Sequence, residues 1–311
     1  MNMTGIPWVE KYRPDCFDDI IISDMNKSIF SSIFIKNHFS NMLFYGPPGT
    51  GKTTTIINLI NKYFQTIGVK NSKSSILHLN ASDDRGIDII RNQILQFVNT
   101  NSIYKKGLKF VILDEVDYMT KNAQNALKRV IQNVNDNIRF CLICNYISRI
   151  DNSLRNEFIC IRFNKLPEKM VNRFLMNIND KEELNIDKKT IYNIQNKFGS
   201  DVRSMINYIQ LNHNKLHNSD ILLDKYKYDE LYSFTVKHKK SPNTIVKHLN
   251  DLSHTYNHDI IEIIKEYINY LLEYHKETYL NVKCLNNISN IMHHNDIAIE
   301  HQLNYFVHNI L

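Results

Sequence analysis

The chain is poor in the residues that punctuate a backbone: 311 residues include only 8 glycines, 6 prolines and 1 tryptophan, and alanine is scarce as well. Asn, Ile, Lys and Tyr take their place, a bias that reads as an A/T-rich gene rather than a demand of the fold. The asparagines are not gathered into a prion-like tract, and there is no low-complexity linker or repeat of fixed period. No run of 18 apolar residues occurs and no charged-then-apolar leader opens the chain, so the sequence predicts a soluble, intracellular protein with no membrane partner. The five cysteines, at positions 16, 141, 144, 160 and 284, lack the paired spacing of a zinc site. Cys141 and Cys144 form a nominal C-x-x-C, but in an apolar run with no second pair, which predicts buried strand thiols. The histidines scatter without a metal-ligand constellation. Net charge is +6, and it is uneven: residues 1–165 hold 21 Lys+Arg against 14 Asp+Glu, and the remainder 17 against 18. That surplus fits either simple solubility or an anionic partner such as nucleic acid.

Against this scarcity one stretch is rich in glycine. Gly46-Pro47-Pro48-Gly49-Thr50-Gly51-Lys52-Thr53 matches the phosphate-binding loop at every fixed position. An apolar strand-like run, Asn41 to Tyr45, precedes it, and Thr54 begins a helix-spaced apolar stretch after it, which is the strand-loop-helix context the motif needs. Glycines let successive N–H groups and the helix N-terminus face phosphates. Lys52 is then placed to reach the β- and γ-phosphates of a nucleoside triphosphate, and the Thr53 hydroxyl to bind Mg²⁺. An ordinary Gly-Pro turn explains the prolines but not the full spacing in this context.

Residues 1–166 alternate strand-like and amphipathic helical stretches, the pattern of an α/β nucleotide-binding domain with a parallel sheet. Strands are expected at Met42–Tyr45, Ile76–Leu79, Lys109–Leu113, Arg139–Cys144 and Ile159–Phe163. From Pro167 the β signal disappears. A helix opening at Glu168 and running through Asn177 begins a small helical lid domain at 167–225. A helical domain at 226–311 follows, with helices near Asp229–His238, Pro242–His254, Asp259–His275, Lys283–His293 and Ala298–Ile310.

Phe110-Val111-Ile112-Leu113 delivers Asp114-Glu115-Val116-Asp117 to the carboxyl edge of the sheet, where ligands bind. Asp114 is positioned to hold Mg²⁺ through water and Glu115 to polarise an attacking water, because phosphoryl transfer depends mostly on positioning and electrostatics. Another apolar strand ends at Asn145, which can lie beside the γ-phosphate; taken by itself, a turn-capping Asn is the better reading. Ser200 or Asp201 should cap a helix whose first turn holds Arg203. A helix dipole does not favour an Arg there, which points to a ligand role.

Taken in order, Pro7-Trp8-Val9-Glu10-Lys11-Tyr12-Arg13-Pro14, the phosphate loop, Leu79 to Gly86, Leu113 to Asp117, Ala123 to Arg129 and Arg139 to Tyr146 resemble the small subunits of replication factor C. These are AAA+ ATPases that load sliding clamps, and the resemblance runs from Pro7 to about Tyr208. It implies that the C-terminal helices form an oligomerisation collar, and that Val9, Tyr12, Arg13 and Pro14 pack around adenine. It also makes Asn145 and Arg203 the two γ-phosphate sensors, and Arg85, Arg91, Lys128 and Arg129 contacts to the DNA backbone. Such cations neutralise phosphates without reading bases; a solvated charged helix face explains their spacing equally well.

The implied activity is ATP hydrolysis, mainly within a hetro-oligomer of clamp-loader subunits, to open a sliding clamp and load it on primer-template DNA. The implied location is the nucleus of a eukaryotic cell, or a viral replication compartment. A helicase would also use Asp114 to Asp117 but needs a second strand-rich motor, and a scaffold that binds ATP without hydrolysing it would not need Glu115. One departure stands out. Where the family carries Ser-Arg-Cys, whose Arg reaches the neighbouring subunit's ATP, this chain has Asn156-Glu157-Phe158, with Arg155 displaced from that position. An Arg finger contributes about 10³ to 10⁵ in rate.

Overall fold

A computed structural model describes residues 6–36, 38–69, 73–83, 90–100, 107–213, 225–256, 259–293 and 298–311. Five apolar runs form parallel strands: β1 (Met42–Tyr45), β2 (Ile76–Asn80), β3 (Lys109–Asp114), β4 (Ile138–Cys144) and β5 (Ile159–Arg162). Their order is β2-β3-β4-β1-β5, with Tyr45 in register with both Cys144 and Arg162. Alternate side chains enter two different cores, as strand geometry requires. Leu43, Val111, Leu113, Phe140, Leu142 and Cys144 face one. Met42, Phe44, Phe110, Ile112, Cys141 and Ile143 face the other. Apolar residues on both faces are what a parallel sheet covered on each side demands.

The helices of this first unit are α1 (Trp8–Lys11), α2 (Asp24–Lys36), α3 (Lys52–Thr66), α4 (Leu95–Asn99), α5 (Lys121–Asn133), α6 (Asn152–Arg155), α7 (Glu168–Lys181), α8 (Lys188–Phe198) and α9 (Val202–Asn212). Helix α3 buries Ile56, Leu59, Ile60 and Phe64 at helical spacing against the Phe44 face of the sheet. Helix α5 starts at Thr120, whose hydroxyl accepts from the Ala123 N–H at 3.2 Å, and covers the opposite face with Ala123, Leu127 and Val130. Asp187 and Asp201 cap α8 and α9 in the same manner. Helix α7 runs one turn past the expected Asn177. Ile178 and Asn179 are buried there, and the Asn179 side chain accepts from the Ile186 N–H at 2.9 Å, so the last turn is fastened to the following loop.

The chain divides into two compact units, residues 1–214 and 215–311. The second is helical throughout its described residues: α10 (Lys225–Lys237), α11 (Pro242–Tyr256), α12 (Ile260–Tyr274), α13 (Lys276–Tyr279), α14 (Val282–His293) and α15 (Ile299–Asn309). Helix α12 is its centre, with Ile260, Ile263, Ile264, Tyr267, Ile268 and Leu271 buried. The buried Tyr267 hydroxyl is paired with Thr235 at 3.0 Å, and Tyr228 donates to Glu266 at 2.6 Å. Among the described residues no helix is long and apolar enough to cross a membrane.

Candidate functional site

The carboxyl ends of β1, β3 and β4 open on one pocket, so sheet topology places the loop after β1 next to the end of β4. At two points of that loop there is no room for a Cβ. Gly46 has φ +144 and a Cβ there would lie 2.1 Å from the Phe163 carbonyl oxygen; Gly49 has φ +70 and its Cβ would lie 2.0 Å from Asp201 Oδ1. Gly49 therefore sets how closely the loop and the start of α9 approach.

Lys52 follows the loop and is only 7% exposed. Its ammonium donates to Gly46 O at 2.8 Å, Pro47 O at 2.8 Å and Asn145 Oδ1 at 2.9 Å. All three acceptors are neutral. Burial lowers the Lys52 pKa, opposed by the nearby Asp114 carboxylate. The Thr53 hydroxyl donates to Asp114 Oδ2 at 2.6 Å, while Asp114 Oδ1 accepts from the Glu115 N–H at 2.9 Å. Glu115 itself sits at φ 56, ψ 38, a left-handed conformation that is costly for a residue with a side chain. Asp117 Oδ2 accepts from the backbone N–H groups of Asn145 at 3.3 Å and Tyr146 at 3.2 Å. Asp117 is 5% exposed, and its other oxygen is the one buried side-chain polar atom without a partner among the described residues. It thus fastens the turn after β3 to the end of β4 and fixes where Asn145 stands.

Val9, Tyr12, Arg13, Pro14, Pro48, Gly49, Thr50, Gly51, Lys52, Thr53, Thr54, Asp114, Glu115, Asn145 and Arg203 all line this pocket. Gly46 and Pro47 do not, and act through the carbonyl oxygens that hold Lys52. Arg203 reaches the pocket from the first turn of α9, behind the Asp201 cap. The Pro14 carbonyl accepts from Asn58 of α3 at 2.7 Å. The sequence reading missed the walls made by Ile20, Ile21, Leu166, Phe174 and Ile206. Isolated apolar residues carry no motif, and only the helical phase of Phe174 and Ile206 could have suggested a common surface. The pocket therefore has a cationic end at the glycine loop and a more apolar remainder.

The AAA family model (ATPase family associated with various cellular activities) matches residues 42–178. The chain is 43% identical over 210 residues to replication factor C subunit 5 of Homo sapiens, covering 67% of this chain and 61% of that protein. It is 39% identical over 219 residues to replication factor C subunit 3 of Saccharomyces cerevisiae, covering 70% and 62%. It is 38% identical over 209 residues to replication factor C small subunit 2 of Pyrobaculum islandicum, covering 67% and 64%. The chain thus resembles replication factor C subunits over about two thirds of its own length. The matched stretch spans about three fifths of the length of the first of these relatives. Thermotoga maritima RuvB shares the fold, with a TM-score of 0.53 at 17% identity over 84% of this chain and 91% of that one.

Of the remaining residues singled out by the replication factor C resemblance, Lys128, Arg129, Arg155, Asn156 and Glu157 do not line the pocket. Lys128 is half-buried and Arg129 exposed on α5; Arg85 lies outside the described residues, and Arg91 falls in the helical turn Ile90–Ile94. Arg155 and Asn156 are exposed at the end of α6, and Glu157 accepts from Gln132 Nε2 at 2.7 Å. Cys141 and Cys144 lie in the two different cores. A strand turns residues three apart to opposite faces, so these thiols do not converge. Burial pushes the Cys144 thiol up to about 12, with Asp117 adding to the effect.

Proposed function

We propose that this chain is a clamp-loader subunit that binds and hydrolyses ATP to help open a sliding clamp and load it onto primer-template DNA. The observation that carries the reading is the convergence of Lys52, Asn145, Thr53 and Asp114 at the carboxyl ends of three neighbouring strands, with Arg203 and residues 9–14 on the same pocket. The residues present fit a nucleoside triphosphate with Mg²⁺. Lys52 is a buried cation with neutral acceptors, so its charge is available to phosphate. Thr53 and Asp114 offer adjacent oxygens, the donor set that Mg²⁺ prefers. When bound, Mg²⁺ would offset charge on the phosphate oxygens.

Each side chain then has a task. Lys52 exchanges its loop carbonyls for the β- and γ-phosphates, and the backbone of residues 46–53 cradles them. Glu115 orients and deprotonates the attacking water. Asn145 and Arg203 read the γ-phosphate from the sheet and from α9, so its loss is felt by both parts of the first unit. Val9, Tyr12, Arg13 and Pro14 enclose the adenine. Lys128 and Arg129, with Arg85 and Arg91, meet DNA phosphates.

Three parts divide this labour: an ATPase domain at 1–166, a lid at 167–225 and an oligomerising collar at 226–311. The partners are other clamp-loader subunits, the clamp and primed DNA, in the nucleus or a viral replication compartment. A steady-state ATPase assay of Glu115→Gln in the assembled complex, with and without clamp and primed DNA, tests this. Loss of a DNA-stimulated rate is expected; equal, DNA-independent rates in wild type and mutant would favour an ATP-binding scaffold.

Glu157 adds a specific feature. A carboxylate where the family places its finger would repel a γ-phosphate, and here it is already engaged by Gln132. The subunit accepts a finger from one neighbour without donating a normal one to the other. Arg155→Ala in the complex should leave hydrolysis at the adjacent site nearly unchanged, and a loss of the size expected for a missing finger would refute this.

A further inference from the structure

The segment that lines the apolar end of the pocket is held at two ends by different parts of the first unit. Its C-terminal end is fastened to the sheet side, where the buried Asn58 of α3 donates to the Pro14 carbonyl at 2.7 Å. Its N-terminal end is fastened to the helices after the sheet. One carboxylate oxygen of Glu182, the residue that closes α7, accepts from Lys11 Nζ at 2.5 Å and also from the Tyr12 hydroxyl. The Lys181 ammonium stands 5.8 Å from the centre of the Tyr12 ring. Gln210 of α9 accepts from the Trp8 N–H at 2.9 Å, and the Trp8 and His213 rings pack with centroids 6.0 Å apart. The pocket-lining residues Val9, Tyr12 and Arg13 lie between these fastenings.

We infer that Glu182 is a positioning residue that fixes the base-side wall of the pocket to α7, so that contact with the base and ribose of a nucleoside triphosphate depends on where the α7–α9 helices stand. The inference rests on the nucleotide reading given above. Glu182 does not line the pocket and acts through Tyr12 and Lys11. The phosphate end is built on the sheet edge and does not use this tether. Removing the tether therefore separates the two ends: the triphosphate still finds Lys52 and the glycine loop, while the base finds a wall held at Trp8 and Pro14 but loose at Lys11 and Tyr12 between them.

Calorimetric titration of the full chain with Mg·ATP and, separately, with Mg·tripolyphosphate tests this. Wild type should bind ATP more tightly than tripolyphosphate. Glu182→Ala should weaken ATP binding about tenfold, the scale of losing hydrogen bonds to a charged group, and leave tripolyphosphate binding within about twofold of wild type. Glu182→Gln, which keeps an acceptor for Tyr12 and guards against a folding defect in the alanine variant, should lose less than Glu182→Ala. An equal loss for both ligands, or no loss for either, overturns the role assigned to Glu182. Wild type binding neither ligand overturns the nucleotide reading, and the inference with it.

Discussion

Replacing Gly49 by alanine should destabilise the first unit by about 2–3 kcal/mol, because two separate penalties meet at that residue. The backbone stands at φ +70, where a side chain costs about 1–2 kcal/mol. The new Cβ would also fall 2.0 Å from Asp201 Oδ1 and 2.5 Å from its Cγ. The carboxylate must move away, which breaks its bonds to the Ser204 N–H at 3.1 Å and hydroxyl at 2.9 Å. Losing such an N-cap costs about 1 kcal/mol. The 2.8 Å approach to Asp201 Cα requires a further shift in the same direction.

Asp201→Ala alone removes only the cap and should cost about 1 kcal/mol. Because both substitutions lose the same cap, the double variant should cost about 1 kcal/mol less than the sum of the singles. The single tryptophan, Trp8, packs beside His213 at the end of α9, so urea unfolding followed by its fluorescence reports this unit. Full additivity, or a Gly49→Ala variant as stable as wild type, would mean that Gly49 and the Asp201 cap are not coupled.

Three further outcomes are expected. Asp117→Ala leaves the N–H groups of Asn145 and Tyr146 without their acceptor; stability should fall by about 1–3 kcal/mol in urea, and ATP hydrolysis should fall more than ATP affinity. Thiol labelling of the native chain at pH 8 should modify the exposed Cys16 and Cys160 and spare the buried Cys141, Cys144 and Cys284; early reaction of Cys144 would contradict its raised pKa. Burial pushes the Glu182 carboxyl up, but hydrogen bonds from Lys11 and Tyr12 outweigh it and hold its pKa below the ordinary carboxylate value. Such a group stabilises the fold fully above its unfolded pKa and loses that contribution as pH falls through its lowered folded value. The stability gap between wild type and Glu182→Gln should therefore close below about pH 4, and a gap that persists there would contradict the tether.

What the sequence made legible follows from the range of the interactions. All five strands were readable, since each is a local apolar run and a parallel sheet accepts such runs on both faces. The glycine loop, Asp114 and Asn145 were readable because a strand end fixes their position locally. The helix after Pro167 was read too short, because Asn179 is fastened to Ile186 through a side chain that looks like an ordinary polar residue. Glu182 is 170 positions from Tyr12, and nothing near either residue announces the pairing. Asp117 was visible as the last acid of Asp114 to Asp117, but its hold on the backbone at Asn145 depends on β3 and β4 being neighbours. Ile20, Phe174 and Ile206 meet only when three distant segments close on one pocket.

Dependence of hydrolysis on neighbouring subunits can be read from single-turnover hydrolysis of Mg·ATP by the chain alone and in the reconstituted clamp loader. The isolated chain should bind ATP but hydrolyse it slowly, and assembly with clamp and primed DNA should raise the rate at this site by about 10³ or more. A full rate in isolation, or assembly without any gain, would contradict that dependence.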